Sequence, residues 1–182
     1  MVDKIRRRKL AFHLRRLAVG LISNDDFEDA IMEDISSGNL PQYYSHTINL
    51  KQEDLIIKPM LELSWCLYND VEEHHLTGPD KLSDEALKEI SRCILFLHSD
   101  LEYQWPYFDI INPFLRFFWK DWLLGAVTFG KHYCNQDKKL RKEFDQFRKT
   151  GDYDIWPFTN RKQYETQLLQ PPFLAGNKNI TA

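Results

Sequence analysis

Apolar residues recur every three to four positions through most of the chain, and most of these stretches follow a side chain that caps helices. That combination dictates a helical fold. In residues 3–19, Leu10, Leu14, Leu17 and Leu21 mark one face, with Asp3 at the start and Gly20 just past the end. Ser23 and Asp26 have the spacing of a capping box, opening a short second helix with Phe27, Ile31 and Ile35 as its buried stripe. A third helix is expected over about 52–73, with Leu55, Met60, Leu63, Leu67 and Tyr68 apolar, and Pro59 either starts or bends it. Ser83, followed by Asp84 and Glu85, caps a fourth. Its Ile90, Ile94, Leu95 and Leu97 spread around the wheel, as in a central helix.

Further on, an aromatic stretch over 107–129 predicts a helix from about Pro113. Asn135 is placed to cap a basic helix over 136–149, which Gly151 stops; 152–158 reads as extended, and Thr159 is placed to cap a last helix to Leu169. Segments 38–47 and 75–81 read as connections. Only 7 Gly and 8 Pro occur in 182 residues, below the average of about 12% for the two together. The expected architecture is all-α: one compact domain over 1–182 of six or seven helices with short extended Trp-Pro crossings. Residues 1–9 and 175–182 are its expected frayed ends.

Composition narrows the function classes. Hydrophobic residues make up 43% and charged residues 28%, enough apolar content to exclude global disorder. A formal net charge of −3 gives no strong nucleic-acid signal. Cys66, Cys93 and Cys134 are odd in number and lack a C-x-x-C pair, which fits a reducing cytosol and buried, inert thiols. The most apolar stretch, 110–129, contains Arg116, Lys120 and Asp121, so no membrane span is expected. Arg15 and Arg16 interrupt the N-terminal apolar run, which excludes a signal peptide. The expected location is cytoplasmic.

One internal echo stands out. Glu102-Tyr103-Gln104-Trp105-Pro106-Tyr107 resembles Tyr153-Asp154-Ile155-Trp156-Pro157-Phe158. Each proline forces the preceding Trp into extended geometry, so both segments read as surface-to-core crossings. Both indoles are expected to dock on the apolar stripe of the fourth helix or on the 113–129 helix.

These segments also carry a resemblance. Asn24-Asp25-Asp26-Phe27-Glu28-Asp29, Leu76-Thr77-Gly78, Asp100-Leu101-Glu102-Tyr103-Gln104-Trp105-Pro106, Trp156-Pro157-Phe158 and Pro171-Pro172-Phe173-Leu174 together resemble a family of small bacterial proteins with no assigned activity. The resemblance spans roughly 10–174. It implies a bacterial origin and carries over no functional residue.

Candidate chemistry is sparse. Glu72 and His75 have the Glu-x-x-His spacing of di-iron helices, but no second such pair exists, so His74 and His75 read as helix-end residues. His132 with Cys134 lacks a defined orienting group and reads as ordinary loop. His98 and Asp100 with Glu102 offer an acid–base set that helix capping explains equally well. Residues 4–16 hold seven Lys/Arg and no acid, whereas 25–34 hold six acids and no base. The first run suits an anionic surface. The simpler reading is a solvated face, because Lys4, Arg7, Arg8 and Arg15 fall largely opposite the leucines. No metal or other cofactor is expected. The chain reads as a non-enzymatic domain that binds another protein, as immunity-type inhibitors and adaptors do. The candidate contacts are Asp25, Asp26, Asp29, Tyr103, Trp105 and Trp156. The alternative is an enzyme or nucleic-acid-handling protein with a site assembled from dispersed residues.

Overall fold

The computed structural model describes residues 1–35, 54–106 and 119–170. Among them are seven α-helices: α1 (Lys4–Ala18), α2 (Asn24–Asp34), α3 (Ile57–Trp65), α4 (Asp84–Leu97), α5 (Trp119–Val127), α6 (Lys131–Thr150) and α7 (Arg161–Leu168). The β pairing among the described residues is a bridge between Ser23 and His75. The fold is all-α. The connection expected at 38–47, the helix start expected near Pro113 and the end at 175–182 lie outside the described residues.

α1 is the hub. Its Leu10, Leu14 and Leu17 are fully buried, and it packs against α4, α2 and α3 in turn. Asp3 caps its start by accepting the Arg6 N–H. At its end Gly20 adopts φ +69°, so the Gly20 and Leu21 N–H groups reach back to the Leu17 and Arg16 carbonyls. A Cβ at Gly20 would run into Thr77 Cγ2, so only glycine fits both the backbone and the space. This reversal redirects the chain. Leu21, expected in the buried stripe, is therefore 68% exposed.

α2 follows the sequence pattern. Ser23 and Asp26 form the reciprocal capping box, and Phe27, Ile31 and Ile35 are buried against α1. α4 is capped by Ser83 and buries Ile90, Cys93, Ile94, Phe96 and Leu97. α3 is much shorter than the expected 52–73 span. Pro59 occupies its first turn, where no intrahelical N–H partner is required. The Cys66 and Leu67 N–H groups then close onto carbonyls three residues back, and the helix stops.

Three further boundaries move. α6 begins at Lys131 rather than after Asn135, because Gly130 takes φ +79° and turns α5 directly into α6. Residues 153–155 form a 3₁₀ turn, not an extended run, held by Asp152 accepting the Asp154 N–H. Asn160, not Thr159, caps α7 through the Gln163 N–H.

The largest departure is Arg7. The solvated-face reading of the basic run includes it, yet it stands three residues before Leu10 and seven before Leu14, on the leucine face, and is completely buried. Arg7 Nε and Nη2 form a bidentate pair with Asp54 Oδ2 and Oδ1 at 2.6 and 2.9 Å, while Nη1 donates to the Leu101 carbonyl at 2.8 Å and the Ser99 carbonyl at 3.2 Å. Its guanidinium also lies 5.3 Å from the centre of the Phe96 ring. Asp54 Oδ2 additionally accepts the Asp3 N–H at 2.8 Å. Residues 4–9, part of the expected frayed end, are thus the anchored first turns of α1.

Removing one member of such a pair leaves a buried charge alone. Asp54→Ala is expected to lose about 3–5 kcal/mol of stability in urea denaturation, and Arg7→Met/Asp54→Leu to recover most of it.

Candidate protein-binding surface

The six expected contact residues separate into two groups. Asp25, Asp26 and Asp29 stand on the exposed side of α2, with Asp26 committed to the Ser23 N–H at 3.4 Å. Tyr103 and Trp105 are buried, and Trp156 is half-buried. These aromatics meet one another. Trp156 Nε1–H donates to the Tyr103 oxygen at 3.1 Å, and Trp105 Nε1–H donates to the Pro157 and Phe158 carbonyls at 3.0 and 3.2 Å. The two echoing Trp-Pro segments therefore close on each other.

Neighbouring groups complete this clasp. Phe96 of α4 meets Tyr103 and Phe158 edge-on, with ring centres 6.3 and 5.0 Å away. Arg92 Nε donates to the Trp156 carbonyl at 2.6 Å. Trp105 packs its ring on Phe147 of α6 at 4.7 Å and belongs to the same buried cluster as Ile90, Ile94 and Leu97. Burial pushes the Tyr103 phenol well above its ordinary pKa. The phenol thus stays protonated and accepts the indole N–H through its lone pair.

The polar candidates disperse. Glu72 and His75 lie in irregular backbone rather than on a helix, so their spacing does not put them on one face. His75 Nδ1 lies 3.1 Å from the Gly20 carbonyl, and the His74 N–H donates to Asn24 Oδ1 at 2.7 Å. His132 and Cys134 sit on α6, not in a loop, and two residues apart they face different directions. Asp100 pairs with Lys4 at 2.8 Å and Glu102 with the N-terminal amine at 3.6 Å. Cys66 and Cys134 are exposed, contrary to the expectation of three buried thiols. Cys93 is buried, and desolvation pushes its thiol up to about 12, so it is not a nucleophile at neutral pH. Among the described residues, no group of three or more His, Cys, Asp and Glu side chains is placed to hold a metal. No helix among them is long and apolar enough to cross a membrane.

Sequence reasoning missed a different surface. The side of α1 away from the core presents Ile5, Phe12 and Val19, exposed by 71, 57 and 54%. At 3.6 residues per turn, their seven-residue spacing confines them to about 40° of arc. Arg8 and Arg15 border this line on one side, Lys9 and Arg16 on the other. Arg16 lies over the Phe12 ring at 5.4 Å, and Lys9 pairs with Asp34 at 2.6 Å. The seven-residue recurrence was visible in the sequence, but the stronger leucine pattern of the same helix concealed it.

No family model, curated protein or solved structure matches the chain. The bacterial resemblance therefore rests on the quoted segments.

Two outcomes test this geometry. Trp105→Ala is expected to cost about 3–5 kcal/mol in chemical denaturation, and Trp156→Ala distinctly less, because its indole is partly in water. His98 caps α4, where burial and then the Arg8 and Arg15 charges hold its imidazole below the ordinary 6.5. The fold favours neutral His98. Its contribution is present above pH 6.5 and lost as pH falls through the lower, folded value. NMR titration should place the His98 midpoint below 6.5, and His98→Gln should flatten the stability slope on the acid side of that pH.

Proposed function

We propose that the chain is a non-enzymatic protein-binding domain, an inhibitor or adaptor of the immunity type acting in a bacterial cytoplasm. One observation carries the proposal: the hub helix of the fold leaves an ordered apolar line in water. Ile5, Phe12 and Val19 would each gain by leaving solvent, at about 25 cal/mol per Å² of apolar surface covered. The three share one face of α1 at two-turn intervals, with Arg8, Lys9, Arg15 and Arg16 between and beside them. A rigid helix is also a precise platform, since its side chains are positioned by the packing beneath them.

A second apolar surface lies at the α5–α6 turn, where Phe129 is 95% exposed and Val127 70%. The dispersal of the polar candidates favours binding over catalysis. The immunity-type reading itself is an analogy with small bacterial inhibitors.

The test is purification at native expression level. A second protein should co-purify near one-to-one stoichiometry, and an Ile5→Asp/Phe12→Asp/Val19→Asp variant with unchanged helical circular dichroism should lose it. Turnover of a small molecule by the purified chain, with no co-purifying protein, would end the proposal.

A further inference from the structure

Resting on the protein-binding reading, we infer that the outer face of α1 docks an acidic amphipathic helix of another protein. Three features of the face select this occupant. The apolar line runs from Ile5 to Val19, about 21 Å at 1.5 Å per residue, which matches the contact seam of a short helix. Its seven-residue recurrence supplies one of the two heptad positions of such a seam, and the other is basic, Arg8 and Arg15. Its borders carry Arg8 and Arg15 on one side and Arg16 on the other, while Lys9 beside Arg16 is paired with Asp34. A partner helix carrying Leu or Ile along one line and Glu or Asp at its margins is complementary to both elements.

The same charges argue against the other occupants. A second copy pairing α1 with α1 would bring the cationic borders of the two copies together, and like charges at an interface oppose association. An anionic bilayer would meet the carboxylates around this face as well as its cations. Asp34 is bound to Lys9, Asp100 to Lys4 and Glu102 to the N-terminal amine. These pairs offset several of the charges that a membrane would need.

Phe12 sits at the middle of the line, with Arg16 over its ring. Its side chain is the natural anchor, because aromatic residues bordered by arginine dominate interface energetics. Arg8 and Arg16, one turn to either side of Phe12, are placed to meet carboxylates on the partner.

The test is photo-crosslinking in the native cells. p-Benzoylphenylalanine replaces Phe12 in one form of the full chain and Phe129 in another, and adducts are mapped by mass spectrometry. The inference requires that the position-12 probe join a different protein, within a helical segment rich in Glu or Asp. Arg8→Glu/Arg16→Glu should then lower the adduct yield roughly tenfold or more. Arg8→Gln/Arg16→Gln, which retains the stems without reversed charge, should lower it less. A position-12 adduct with lipid, with a second copy, or with a segment lacking acidic residues overturns the inference. So does a yield indifferent to both double variants. Adducts from position 129 alone overturn the α1 face but leave protein binding standing. Absence of protein adducts from both positions defeats the inference and the protein-binding reading together.

Discussion

A buried guanidinium decides how this chain can be assembled. Arg7 has no contact with solvent, and its charge must be matched inside the protein. Asp54 matches it with two charge-assisted bonds, while the Ser99 and Leu101 carbonyls take the donors that Asp54 does not reach. These partners come from the approach to α3 and the turn after α4. One side chain thus fixes α1 against two remote segments. Such a pair contributes little net stability over a well-packed apolar pair, since desolvating both ions offsets most of their attraction. Its effect is selective: an assembly that misplaces either segment strands a charge.

The hub position of α1 follows. α1 packs against α2, α3 and α4 with Leu10, Leu14 and Leu17 fully buried, and its opposite side is exposed at Ile5, Phe12 and Val19. On the far side of α4, the Trp-Pro clasp provides a second long-range tie. Tyr103 with Trp156, and Trp105 with the Pro157 and Phe158 carbonyls, join segments about fifty residues apart. In each bond a buried N–H that would be costly if unpaired finds an acceptor, so the two segments satisfy one another.

Electrostatics gives the exposed side of α1 its character. Lys4 and Lys9 are engaged by Asp100 and Asp34, and Lys9 and His13 hold the Asp34 carboxyl below the usual carboxylate range. The basic run seen in the sequence is therefore divided into one buried anchor, two surface lysines in ion pairs and arginines bordering an apolar line. What had read as a plain solvated surface carries three exposed apolar side chains edged by arginines.

The sequence by itself determined the helical class, the caps at Asp3, Ser23 and Ser83, the left-handed turn at Gly20 and the buried stripes of α1, α2 and α4. These depend on residues within a turn or two of each other, and local backbone geometry decides them. Tertiary structure alone decided that Arg7, on the leucine face, is paired with Asp54, that the two Trp-Pro segments close on each other, that α3 stops at Trp65 and that Glu72 and His75 share no helix face. It also turned Tyr103 and Trp105 inward and left Ile5, Phe12 and Val19 exposed. Helical periodicity states which residues share a face, but not whether another element covers that face. For Arg7 the covering came from Asp54, 47 residues away, and no local pattern encodes a partner at that distance.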